Sequence, residues 1–205
     1  MEENKDILLQ QIANHLMINA GFLSDLGLFH GKMGIVLFFV HYARYTGNAI
    51  YEEYAGDLLD EIFEDIYAGF TLDFENGLSG IGWGLLYLLK NHFVEGDPDE
   101  VLFDIDQRMM EINLSRVVDR SVERGLGGYL YYLSERLSVG SKPGLFDMGY
   151  REDFRKVVSS MQLEEPFRLS SLIRRNTAFS VTDVAKNSLG VSDGYAGVGF
   201  KLMQV

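Results

Sequence analysis

The chain has 205 residues, 47% apolar and 23% charged, a globular composition long enough for one domain to bury about 70% of its unfolded surface. It contains no cysteine, which excludes a thiol nucleophile, a redox Cys-x-x-Cys pair, an iron–sulfur cluster and any thiolate zinc site built from its own residues. Lys and Arg number 18 against 30 Asp and Glu, and the formal charge of -12 argues against nucleic-acid and anionic-membrane partners.

The opening Met1-Glu-Glu-Asn-Lys-Asp6 lacks the basic region and apolar core of a signal peptide. The longest near-apolar run, Ile35 to Val40, is too short to span a bilayer, so a cytoplasmic protein is expected. With 22 glycines and only 3 prolines, the glycines belong to tight turns and close backbone approaches rather than to disordered linkers. They fall in four similar clusters: Gly27-Leu-Phe-His-Gly31-Lys-Met-Gly34, Gly77-Leu-Ser-Gly80-Ile-Gly82-Trp-Gly84, Gly125-Leu-Gly127-Gly128, and Asp193-Gly194-Tyr-Ala-Gly197-Val-Gly199. Each opens an apolar run. With Gly31, Gly80, Gly125 and Gly194 in register the spacings are 49, 45 and 69 residues, the first two near the period of a helix-pair repeat.

The run from Gly34 to Thr46 reads as a very apolar helix ending at Gly47, a C-cap. Ile50 to Tyr67 follows as an amphipathic helix, with Ile50, Tyr54, Leu58, Ile62 and Ile66 on one face and acids on the other. The plan then repeats: an apolar helix from Gly84 to Phe93, a turn, and Pro98 opening a helix with Val101, Ile105, Met109 and Ile112 on one face. Beyond Gly125 a third apolar helix is followed by the loop Ser138 to Gly144 and weaker helical segments at Glu152–Met161 and Glu165–Arg175. Asn176 to Ser192 is polar and mixed, and the fourth cluster opens a last helix with no amphipathic partner after it. Its open apolar face calls for another chain or a neighbouring helix folded back. Two concentric layers of helices satisfy one covered and one half-wet helix per unit.

Gly27-Leu-Phe-His-Gly-Lys-Met-Gly-Ile35, Asn76-Gly-Leu-Ser-Gly-Ile-Gly-Trp-Gly-Leu85 and Ser192-Asp-Gly-Tyr-Ala-Gly-Val-Gly199 resemble repeats of the lanthionine synthetase C-like family. The resemblance implies an all-α fold, an (α/α) toroid of two concentric helical rings. In this chain it would be an incomplete toroid of one domain over 1–205, with repeats starting near 27, 77, 122 and 190. Enzymes of the family cyclise peptides by adding a cysteine thiol across a dehydroamino acid, on a zinc ion held by two cysteines and a histidine. Those ligands lie in Trp-Cys-x-Gly and Cys-His-Gly contexts. Here Trp83 is followed by Gly84, and Phe29-His30-Gly31 has phenylalanine in the cysteine's place. No residue transfers as a zinc ligand, so no metal and no cofactor are expected.

His30, in the first glycine turn, is the leading candidate for acid–base work, and Asp193 is the second catalytic candidate. Lys32, Asp73, Glu75, Trp83 and Tyr195 are candidate cavity or ligand-binding residues. Each has a plain structural reading beside that one: a turn histidine, a solvated or carboxylate-paired lysine, N-caps, and core aromatics. The resulting expectation is a non-catalytic relative that binds a peptide or partner protein in peptide modification, with a homo-oligomer covering the incomplete ring. The alternative is a cysteine-independent peptide-modifying enzyme, or a glycoside hydrolase using carboxylates across the cavity. The acidic stripe Glu52, Glu53, Asp57, Asp60, Glu61, Glu64 and Asp65 is either a solvated face or a docking surface for a basic partner.

Overall fold

The computed structural model describes residues 2–66, 70–140, 142, 145–161, 163, 167–173 and 188–204, and every regular element among them is helical. The polar stretch at 176–187 lies outside the described residues. The chain forms two compact units, Met1–Ala68 with Arg168–Val205, and Gly69–Phe167.

The first unit begins with a helix, α1 (Glu2–Asn19). Leu9, Ile12, Ala13 and Leu16 are each at most 2% exposed and recur at three- and four-residue steps along one face. Helix α2 (Lys32–Thr46) is buried continuously from Lys32 through Val40. It ends where Gly47, at φ 68°, takes the left-handed conformation and donates its N–H to Ala43 O. Helix α3 (Ala49–Asp65) starts with Asn48 Oδ1 accepting from Ile50 N at 3.1 Å. It lays Ala55, Leu58 and Ile62 against α2 and keeps Glu52, Glu53, Asp57, Asp60, Glu64 and Asp65 in water.

In the second unit α4 (Leu78–Lys90) is apolar nearly throughout. The amphipathic helix expected after Pro98 is split at Leu102 into α5 (Pro98–Val101) and α6 (Phe103–Met110), with Asp97 capping the first turn through Asp99 N. Helix α7 (Leu126–Ser138) packs on α4, and α8 (Met148–Met161) begins four residues before the expected start. Back in the first unit, α9 (Leu169–Leu172) is the helical part of the described residues within the expected 165–175 segment.

The closing helix α10 (Tyr195–Met203) packs against both α1 and α2. The apolar face expected to lie open is therefore met by α1, with the Tyr195 and His15 rings 4.6 Å apart. The need for a partner helix is satisfied inside the first unit.

The four glycine turns obey one rule. In each, an N-cap glycine (Gly31, Gly77, Gly125 or Gly194) has extended backbone, and the next residue donates its N–H to the carbonyl seven positions earlier. These bonds are Lys32 N to Asp25 O (2.9 Å), Leu78 N to Thr71 O (2.9 Å), Leu126 N to Asp119 O (2.8 Å) and Tyr195 N to Ser188 O (3.0 Å). The loop returns so closely that a Cβ on Gly77 would lie 2.5 Å from Thr71 O. Three residues on stands a second glycine, and a Cβ on Gly34 would lie 2.5 Å from Leu28 O. The structural register is therefore Gly31, Gly77, Gly125 and Gly194, spaced 46, 48 and 69 residues, and Gly80 corresponds to Gly34, not to Gly31.

The turns also join in pairs by a common lock. Phe29 O accepts Val191 N (2.9 Å) and Ser192 N (3.0 Å) in the first unit. In the second, Glu123 O accepts Phe74 N and Glu75 N, both at 2.9 Å. Further along the helices, Gly199 makes room for the Phe38 ring and Gly82 for the Tyr132 ring. The fourth repeat thus docks on the first as the second docks on the third.

Candidate functional site

The paired turns carry most of the sequence candidates. In the first unit, His30 follows the bifurcated Phe29 carbonyl and is half-buried, with its ring 6.4 Å from that of Phe29. Asp193 follows Ser192 on the partner turn and is exposed. The turns approach so closely that a Cβ on Gly190 would stand 2.5 Å from His30 Cα. The fold therefore places an imidazole and a carboxylate on two backbone-bonded loops.

Lys32 is 4% exposed. Its Nζ lies 2.5 Å from Glu61 Oε2 on α3, so its charge is neutralised within the unit and it joins the inner helix to the outer one. That pairing also accounts for a cation in the first turn of a helix, where the macrodipole disfavours it. Tyr195, 3% exposed, takes the first position of α10 and packs on His15.

The remaining candidates belong to the second unit. Glu75, 9% exposed, accepts Arg124 Nε at 3.3 Å. Asp73 is half-buried, and its carbonyl accepts Gly77 N at 3.0 Å. Trp83 is 3% exposed, with Phe167 at 5.3 Å, Tyr87 at 5.6 Å and Phe74 at 6.3 Å. That packing makes it part of an aromatic core.

Three features escaped the reading of the sequence. Ser192 stands in its turn where Glu75 stands in the second, and His30 where Arg124 stands in the third. The positions joined by an ion pair in one unit are thus a serine and a histidine in the other. Ser192 is 2% exposed and its Oγ has no hydrogen-bond partner. Counting from the N-cap glycine reveals this correspondence once the register is right.

The third feature is a charged cluster in the core of the second unit. Arg136 and Asp106 are both fully buried, and Arg136 Nε donates to Asp106 Oδ2 at 2.8 Å. Tyr132 OH donates to Asp106 Oδ1 at 2.6 Å, and the other guanidinium nitrogens bind Gly140 O and Asp99. Desolvation raises the Asp106 carboxyl above the usual range, while the Tyr132 and Arg136 bonds pull it the other way. Burial also pushes the Tyr132 hydroxyl up, with Asp106 adding to it. The cluster is saturated by its own members and fastens α7 to α5 and α6. Its sequence signal is an acid on the apolar face made by Leu102, Ile105 and Met109.

Among the described residues no group of three or more His, Asp or Glu comes close enough to hold a metal ion. No described helix is long and apolar enough to cross a membrane. A family model described as lanthionine synthetase C-like protein matches residues 23–205. No curated protein and no solved structure matches the chain.

Proposed function

The chain belongs to the lanthionine synthetase C-like family, and from that premise we propose that it is a non-catalytic member that binds a peptide or a partner protein, in a peptide-modification setting. The carrying observation is the donor set. The zinc centre implied by the family resemblance needs thiolates, and this chain has no cysteine. Histidine and carboxylates do not replace it, because no described group of three converges. The residues present therefore do not fit that metal, and no step is routed through it.

The groups that would otherwise bear chemistry are engaged in structure. Lys32 holds Glu61, Glu75 holds Arg124, and Trp83 is packed among aromatics. What supports binding is the paired turns, which present His30 and Asp193 on two loops held by the same backbone lock. An imidazole, a carboxylate and loop backbone are suited to reading the polar groups of an extended peptide.

Incubation of the purified chain with zinc and a peptide carrying one cysteine and one dehydroalanine tests the proposal. The expected result is saturable peptide binding, weakened by His30→Ala, with thioether formation no faster than without protein. Stoichiometric zinc accompanied by protein-dependent loss of free thiol would overturn it.

A further inference from the structure

The two locks share one backbone pattern but are not held equally, as positions counted from the N-cap glycine show. Two positions before it, Glu75 accepts Arg124 Nε across the second unit's lock. Ser192 takes that place in the fourth turn, and a serine cannot form the ion pair. Three positions before it, Phe74 is fully buried, 6.3 Å from the Tyr131 ring of α7 and 5.0 Å from that of Phe167. The fourth turn has the smaller Val191 there. Both side chains face a glycine of the partner repeat, since a Cβ on Gly128 would lie 2.3 Å from Phe74 Cβ and one on Gly34 2.7 Å from Val191 Cγ2. Four positions before the N-cap, Gly190 replaces Asp73 and gives the fourth turn a freer backbone.

Ser192 adds a cost of its own. It is 2% exposed, and its Oγ has no hydrogen-bond partner. A buried hydroxyl without a partner destabilises the arrangement that buries it. The first unit's lock therefore keeps its two bonds to Phe29 O, has no counterpart of the Glu75–Arg124 pair, and buries a group that water or a ligand would satisfy. The rest of the turn is tied down. Ser188, Leu189 and Gly190 carbonyls accept the first three N–H groups of α10, and Gly199 of that helix makes room for Phe38 of α2. The weak part is thus confined to Val191, Ser192 and Asp193, next to His30. Parting there frees Phe29 O, two backbone N–H groups and Ser192 Oγ, a set that an extended peptide can pair.

We propose that Val191–Asp193 is a latch of the peptide site, which parts from Phe29 to admit an extended peptide, and that the peptide supplies the hydrogen bond the Ser192 hydroxyl lacks when the latch is closed. The inference rests on the reading of the chain as a peptide binder, and names how that site is gated. The peptide shifts the equilibrium because it bonds groups that only the open form offers.

Amide hydrogen exchange followed by NMR on the full chain tests this, with the second unit's lock as internal reference. Corrected for intrinsic rates, the Val191 and Ser192 amides should exchange about tenfold or more faster than those of Phe74 and Glu75. Ser192→Ala, which removes the unpartnered hydroxyl, should slow exchange at Val191 about tenfold. It should weaken binding of the cysteine- and dehydroalanine-bearing peptide by at least a similar factor. Arg124→Ala should speed exchange at Phe74 and Glu75 and leave peptide binding unchanged. Equal exchange in the two locks would overturn the latch. Slowed exchange at Val191 with peptide binding untouched would also overturn it, yet leave the peptide-binding reading standing. No peptide binding by the unaltered chain would defeat that reading and the latch with it.

Discussion

The protonation of His41 is governed by its surroundings. Burial in α2, with the Arg44 guanidinium adding to it, lowers its imidazole from the ordinary 6.5 to about 4. The Phe200 ring of α10 lies edge-on at 5.6 Å. As pH falls from 6.5 toward 4, the unfolded chain takes up a proton that the folded chain refuses, so folding loses stability. The wild type should therefore lose roughly 2–3 kcal/mol more than His41→Phe on acidification through that window, measured by urea unfolding at a series of pH values. Parallel curves for the two proteins would refute the assignment. At this scale the sequence was partly legible. Lys32 and Glu75 stood out as candidates, yet neither Glu61 nor Arg124 could be named as partner, because those contacts join residues 29 and 49 positions apart. Asp106 lies on the apolar face of Leu102, Ile105 and Met109, yet its partner Arg136 is 30 residues away and is not named by that pattern.

At the scale of helices and turns, local chemistry was decisive. The apolar run before Gly47 and Pro98 each announce a helix boundary, and the structure has a helix end or start at each. Helix α1 was missed although its signal was present, since Leu9, Ile12, Ala13 and Leu16 recur at helical spacing. The turn register was off by three residues at Gly80 because both glycines of a Gly-x-x-Gly pair are equally short, and only the backbone bond shows which one caps. The locks between helices predict a specific coupling. A Cβ on Gly199 would collide with the Phe38 ring, so Gly199→Ala should destabilise the fold by about 1–3 kcal/mol. Added to Phe38→Leu, the same substitution should cost clearly less, a non-additivity read from a double-mutant cycle of chemical denaturation. Strict additivity would mean that the ring and the glycine do not share the space.

At the scale of the molecule, α1 answers the question raised by the last repeat. Helix α10 packs against α1, which supplies apolar cover from a distant part of the sequence. A chain beginning after Asn19 should expose that face and self-associate or lose the first unit's cooperative unfolding, as light scattering and thermal melts would show. A truncated chain that stays monomeric with an unchanged melt would show that α1 is dispensable as cover.

The sequence alone determined what depends on composition and near neighbours. No cysteine means no thiolate zinc centre made by this chain. Glycine-marked apolar runs mean helices whose starts are crowded by returning loops. Only the tertiary structure decided which repeat docks on which, that Ser192 and His30 take the positions filled elsewhere by Glu75 and Arg124, and that Trp83 is core. The reason is physical. Capping and periodicity act over a few residues, whereas docking, burial and charge pairing depend on groups brought together from distant parts of the chain.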